Sequence, residues 1–381
     1  FMARHSDSSA VILRDGTPAT VAHEQSISSY FDEYPDYDLT ALLSEGEEAR
    51  VFTGMFLRGN FSVHRQPGDS LADAVDAVPE SERDALAAYL NADDVQNNPV
   101  PTPSDVVIDF FEPLRQADLG DASAEEQQTF LEANYPVLFD QLQHRSPHDP
   151  EQECIWEERH SLSHSTDNTP HKEKWWLFGR PRPEMRSAWD GQQSVLCFQG
   201  VIKNWTPIRI SKKIELNNDG RQLRICPIHA VFIAPSLNRL HYAVTTSFLL
   251  EMITRRQCSS LETRLRFTPT NVFPYFPWPW TPEVNGVNLT IGSPPPAMKA
   301  ALETAAQDLL DQRTKILEQP AAHGLSREQV GGPTDLYNLY DADPESDTAP
   351  EGAAASAIEA LRQAHVDLLD AVLRAYGWDD L

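Results

Sequence analysis

Two periods of apolar residues run through this 381-residue chain. Over 297–318 the positions Leu302, Ala306, Leu309, Ile316 and Leu317 form one stripe at helical spacing. Over 354–376 a second stripe comprises Ile358, Leu361, His365, Leu368, Leu369, Val372 and Tyr376. Such stripes predict amphipathic helices that each bury one face. Pro294-Pro-Pro296 precedes the first and Gly377 ends the second, the usual positions for these residues. Matching stripes predict a C-terminal antiparallel helical hairpin, with 320–352 as an acidic linker. His365 lies on the apolar face, which reads as packing rather than catalysis.

Upstream the pattern shortens to strand-like runs. Asp15-Gly16 between apolar residues predicts a strand pair over 10–23. A second pair is predicted over 50–64, turning at Arg58-Gly59-Asn60, and 106–111 reads as a buried strand. Further strands are predicted at 194–201, 206–210 and 222–234, with Lys212-Lys213 between them and a turn at Asn218-Asp219-Gly220. Ser81 would cap a helix carrying Leu86, Tyr89 and Leu90 on one face. Ser123 and Glu126 form a capping box, and Pro136 opens the next helix with Val137, Leu138 and Leu142. A helix from Thr246 would use Phe248, Leu249, Met252 and Ile253. Arg255 and Arg256 fall near its C-terminus, where cations suit the dipole. Residues 28–48 read as an acidic loop anchored by Tyr30, Phe31, Tyr34 and Tyr37, 99–103 as a rigid loop, and 146–172 as a polar loop.

The last eight residues of the stretch 264–280 alternate aromatics with three prolines. Each proline fixes φ and removes an amide donor, which excludes a helix or a central strand. The expectation is an extended strap with Phe273, Phe276 and Trp278 mostly buried. Either it pins one part of the fold on another, or it is a Pro-rich ligand for a partner's aromatic groove.

The net charge of −26 would ordinarily speak against a nucleic-acid partner, but it is unevenly spread. Residues 1–143 hold 7 basic and 27 acidic residues, net −20; residues 281–381 hold 6 and 17, net −11. Residues 144–280 hold 18 and 13, net +5. Only this middle third suits a polyanion. Cys154, Cys197, Cys226 and Cys258 are widely spaced without a C-x-x-C pair, which reads as reduced thiols. The first residues lack the apolar core of a signal peptide, and no run of about eighteen apolar residues predicts a membrane span. A cytoplasmic protein is the expectation.

Lys174-Trp175-Trp176-Leu-Phe178-Gly-Arg180-Pro-Arg182 interleaves aromatics with cations. With Lys203, Lys212, Lys213, Arg224, Arg255 and Arg256 it makes a candidate DNA-binding set, suited to phosphate contacts and base-edge readout. The same residues fit another reading, in which the tryptophans are core and the arginines lie around them. Cys154, His160, His164 and His171 invite a zinc hypothesis, but their spacing matches no established finger, and no metal is expected. No G-x-S-x-G, Walker loop or H-E-x-x-H occurs.

The order of several short segments resembles the C-terminal half of large adenine-specific DNA methyltransferases. These are the kind found in Type IIL restriction–modification enzymes and in the BREX and DISARM phage-defence systems. The matching pieces begin with Val51-Phe-Thr-Gly54, Tyr89-Leu-Asn-Ala-Asp-Asp94 and Val107-Ile-Asp-Phe110. Lys174-Trp-Trp176 with Arg182, then Arg266-Phe-Thr268 with Phe273-Pro-Tyr-Phe-Pro277, continue the series. Asp335-Leu-Tyr337, Ala364-His365, Leu369-Asp370 and Ala375-Tyr-Gly-Trp378 complete it.

The resemblance implies a mixed α/β (α+β) fold that grips double-stranded DNA while a separate domain methylates. Residues 1–48 would be the tail of a methyltransferase-like sheet, 49–280 the target-recognition domain, and 281–381 the C-terminal helical region. The family's methyl-donor loop (F-x-G-x-G) and adenine-flipping motif (N-P-P-Y or N-P-P-F) are absent, and Asn97-Asn-Pro99-Val100 lacks the second proline and the stacking aromatic. No catalytic residue or cofactor is therefore expected in this chain. The resemblance then implies a fragment, or one chain of a split enzyme, with S-adenosylmethionine bound by a partner methyltransferase domain or subunit. The net charge leaves a competing expectation, an acidic interaction protein such as a DNA mimic that inhibits a DNA-binding enzyme.

Overall fold

The run Ser194-Val-Leu-Cys-Phe-Gln199 is apolar at consecutive positions, as a strand enclosed from both sides must be. In the computed structural model, Val195 and Cys197 enter one hydrophobic core while Leu196 and Phe198 enter a second. Residues 51–378 are described except 164, 166–167, 217–220, 236, 238, 262–263, 274–275, 277 and 280–294. Before residue 51 only three short strands are described.

The strand Ser194–Gln199 pairs antiparallel with Val231–Ala234 and Ile208–Ser211, and Phe52–Thr53 completes a four-stranded sheet. Val231 and Ile233 also face the first core, whereas Ala234 and Phe232 face the second. This sheet is therefore the wall between the two cores. Side-chain alternation in extended chain makes that division automatic.

A second four-stranded sheet has the order Lys213–Leu216, Arg221–Pro227, Leu86–Leu90, Asp105–Ile108, with one parallel pair at its centre. Its apolar side joins the first core with Leu131, Leu138, Phe139, Trp175 and Trp176. The second core joins Trp205, Tyr242 and Leu250 to the strap residues Phe273, Phe276 and Trp278, which are 3–5% exposed. The long helices Pro296–Glu318 and Gly352–Ala375 pack against each other and supply the rest. A Cβ on Gly324, just past the first helix, would lie 3.2 Å from Ala353 at the start of the second. That juxtaposition makes the hairpin antiparallel. The fold is mixed α/β, as expected.

Several elements differ from the sequence reading. Residues 86–90 form a central strand, not a helix: the run is buried on both faces and pairs with strands on both sides. Residues 50–64 are not a hairpin. Phe52–Thr53 pairs with Val231–Ala234, while Val63 donates to Val106 at 2.9 Å beside the other sheet. The span 222–234 is two strands, one in each sheet. The polar stretch 146–172 contains the helices Ile155–Ser161 and Thr169–Glu173, and the linker 320–352 contains Pro333–Tyr340 with Leu336 and Tyr337 buried. The helix expected from Thr246 is two, Arg239–Thr246 and Phe248–Gln257; in the latter Leu250 and Thr254 are buried while Phe248 and Met252 are exposed.

The capping box at Ser123 and Pro136 at a helix start are as read. Near the N-terminus Ala10–Ile12 pairs antiparallel with Pro18–Thr20 and with Ala3–Arg4. The turns at Asp15-Gly16 and Asn218-Gly220, and the aromatics of 28–48, lie outside the described residues.

Candidate nucleic-acid interface

Between the two sheets the chain makes a crossing that no side chain would permit. Gly54 donates to Val231 at 2.8 Å and Met55 to Pro227 at 2.7 Å. A Cβ on Gly54 would meet the Ile228 carbonyl oxygen at 2.2 Å. Phe56 and Arg180 then exchange backbone hydrogen bonds, at 3.2 and 2.8 Å, and Gly179 donates to Leu57 at 2.9 Å. Two segments distant in sequence, 56–58 and 177–180, thus run side by side.

Two arginines here have left-handed backbones. Arg58 has φ 54° and precedes Gly59 at φ 132°; Arg182 has φ 56° and ψ 59°. A residue before proline normally takes an extended conformation, yet Arg182 directly precedes Pro183. Such conformations cost of order 1–3 kcal/mol each and persist where the surroundings over-determine them. The Arg182 Nε donates to the Gly54 carbonyl at 3.3 Å, and an Arg58 nitrogen donates to Asn168 Oδ1 at 2.9 Å.

The cations around this crossing act on one another. Burial and then the charges of Arg159, Arg58 and Arg180 lower the pKa of His171, favouring the neutral imidazole. Burial and then Arg180 lower that of Arg182. Arg159 is wholly buried, and burial lowers its guanidinium to about 10.

The candidate residues divide into groups. Lys174 donates to the Ala122 carbonyl at 2.8 Å. Trp175 and Trp176 are 4% and 1% exposed, with ring centroids 5.0 and 6.0 Å from Phe139. Of the two readings left open by sequence, burial supports packing, since no face of either ring is open to a base. Arg180 and Lys213 are exposed, and among the described residues their side chains make no hydrogen bond or ion pair. Lys212 is paired with Asp190 at 3.0 Å. Arg224 donates to the Asp84 carbonyl and lies 3.6 Å from Asp109, at the edge of a buried network in which Arg186 donates to both Asp109 oxygens at 2.7 and 3.2 Å.

Lys203, Arg255 and Arg256 belong to the second-core side. Lys203 donates to Asn338 at 2.7 Å, Arg255 donates to Glu251 at 2.8 Å and to the Lys203 carbonyl at 2.9 Å, and Arg256 is exposed on the same helix. Sequence reasoning missed Arg58 and Arg159. Arg58 was legible only as a turn, and Arg159 lies in the stretch read as loop.

Of the residues that suggested zinc, Cys154 donates to the Gln143 carbonyl and His160 stacks on Trp156 at 4.4 Å. His164 lies outside the described residues. Among the described residues no group of three His, Cys, Asp or Glu side chains could hold a metal, and no helix is long and apolar enough to cross a membrane.

No family model and no curated protein matches the chain. Among solved structures it is similar to the Type IIL restriction-modification enzyme MmeI, determined in complex with DNA, with a TM-score of 0.54 and 15% identity. The alignment covers 95% of this chain and 37% of that one, so the chain spans a little over a third of that enzyme's length. At this identity the likeness is one of fold.

Proposed function

We propose that this chain recognises a duplex DNA target for an adenine-N6-specific methyltransferase of a restriction–modification or phage-defence system. The observation that carries the reading is the fold shared over 95% of the chain with an enzyme captured on DNA. The charge distribution supports it, because the net of +5 is confined to residues 144–280. In this reading Arg180 and Lys213 neutralise phosphates, and Arg182, set by its strained backbone, reads a base edge. Lys212 and Arg224 would first have to exchange a carboxylate for a phosphate. The buried Trp175 and Trp176 support the surface without touching DNA.

S-adenosylmethionine and the flipped adenine are assigned to a partner methyltransferase unit, since the F-x-G-x-G and N-P-P-Y/F motifs are absent from these 381 residues. The test of recognition is selection from a randomised duplex library retained by the 381-residue chain at low salt. Recovered duplexes should converge on a short shared sequence. Retention without enrichment, or no retention, contradicts the proposal.

A further inference from the structure

Several cations of this acidic chain have a carboxylate partner: Arg115 with Glu112 and Asp190, Arg145 with Glu157, Arg186 with Asp109, Arg255 with Glu251. At the crossing of 56–58 and 177–180 the arginines of the described residues make no such ion pair. There the wholly buried Arg159 bolts the two segments together, its Nη2 donating to Leu57 at 3.0 Å and Leu177 at 3.3 Å. Its Nε and Nη1 are buried without a partner. Glu158 is the carboxylate that offsets its charge, and burial raises the pKa of that carboxyl. A buried guanidinium short of counter-charge is costly to the fold.

Arg58 acts on Arg159, and Arg159, Arg58 and Arg180 all act on His171. Arg58 is aimed by Asn168, whose own amide nitrogen donates to the Ser163 carbonyl at 3.0 Å. Gly179 presses against Arg58 so closely that a Cβ would stand 2.7 Å from the Arg58 Cβ. Arg180 is exposed, and His171 is part-buried. Among the described residues neither Arg58 nor Arg180 makes an ion pair. An accessible group of donors, preset by backbone and lying close to a buried guanidinium with two unpartnered nitrogens, has the character of an anion site. Guanidinium forks match phosphate oxygens in particular.

We propose that Arg58, Arg180 and His171, close to the buried charge of Arg159, form a seat for one phosphate group, and that a backbone phosphate of duplex DNA occupies it. The second clause rests on the DNA reading; the first does not. Arg58 and Arg180 contact the phosphate, while Arg159 contributes only field, because its unpartnered nitrogens are closed to solvent.

The test has two arms, both on the 381-residue chain. In the first, melting is compared in inorganic phosphate and in chloride at equal ionic strength. Phosphate should raise the midpoint of the wild type by a few degrees, since a ligand that binds only the folded state stabilises it. The shift should vanish in Arg58→Gln and in Arg180→Gln, but persist in Lys299→Gln, an exposed position on the helix Pro296–Glu318. In the second arm, duplex affinity is followed against salt, and each arginine variant should reduce the slope of log K against log salt by about 1.

No phosphate shift in the wild type, or an equal shift in the arginine variants, overturns the seat even if DNA binds. A shift lost in the variants without any DNA binding keeps the seat, assigns it to a free phosphate, and defeats the DNA reading. A variant-sensitive shift with unaltered DNA salt slopes overturns the assignment to a backbone phosphate.

Discussion

Asp109 and Arg186 form a bidentate pair at 2% and 5% exposure. Burial alone would raise the Asp109 pKa, but the charges of Arg186 and Arg224 outweigh it and leave it lowered. Removing one partner strands the other charge, so Asp109→Ala should destabilise by about 3–5 kcal/mol in denaturant unfolding. A loss within the few tenths typical of surface sites would contradict the assignment of this pair to the core. His365 and His241 supply a pH dependence of defined sign. Burial lowers both to about 4, with Arg313 adding to the effect at His365, whose Nε2 shares a hydrogen bond with the Tyr337 hydroxyl at 2.7 Å. The unfolded chain, titrating near 6.5, therefore binds more protons between about 6.5 and 4. Their contribution to stability is full above about 6.5 and is lost as pH falls towards 4. The melting midpoint should drop from pH 7 to pH 5, and drop less in His365→Gln; equal drops would contradict the burial argument.

Among elements, the strap shows how far residue chemistry reaches. Three prolines excluded regular structure, and the surrounding rings required burial; Phe276 packs edge-on against Trp278 at 5.0 Å, and Phe273 against Phe198 at 5.3 Å. Phe276→Ala should accordingly destabilise by about 3–5 kcal/mol, and an unchanged midpoint would return the strap to the role of partner ligand. The capping box at Ser123, the helix opened by Pro136 and the C-terminal pair were legible for the same reason, because their signals are local, whereas Ser81 lies inside a short 3-10 helix, Glu80–Ala85, that it does not cap. Leu86-Ala-Ala-Tyr-Leu90 was not. A short apolar run fits helix or strand, and its two partners come from residues 105–108 and 221–227. The hairpin expected at Arg58-Gly59 failed because left-handed φ values mark a change of direction but not its destination. The exposed pair Arg180 and Lys213 was within the sequence-derived set, whereas the buried bolt Arg159 depends on a packing that no spacing encodes.

At the scale of the whole molecule, a wall of strands divides two cores, and the second core draws on residues from both sides of position 280. Gly332 ties the C-terminal helices to the first sheet's surroundings: a Cβ there would stand 2.4 Å from the Gln96 carbonyl oxygen. Attraction of DNA from a distance should be poor, since the regions flanking 144–280 carry net charges of −20 and −11. Binding then relies on contacts inside the screening length, about 8 Å at physiological salt. The chain alone is also expected to transfer no label from radiolabelled S-adenosylmethionine to DNA, and clear incorporation would overturn the division of labour proposed above. The central claim, that the basic middle third is a DNA-recognising face, is tested most directly by fluorescence anisotropy of a labelled duplex against salt. The wild type should bind more tightly as salt falls, with log K linear in log salt, and reversing Lys213 together with Lys212 to Glu should weaken binding to every sequence alike. A chain that binds no duplex even at low salt, as an acidic DNA mimic would behave, or one whose binding ignores both salt and the reversal, contradicts it.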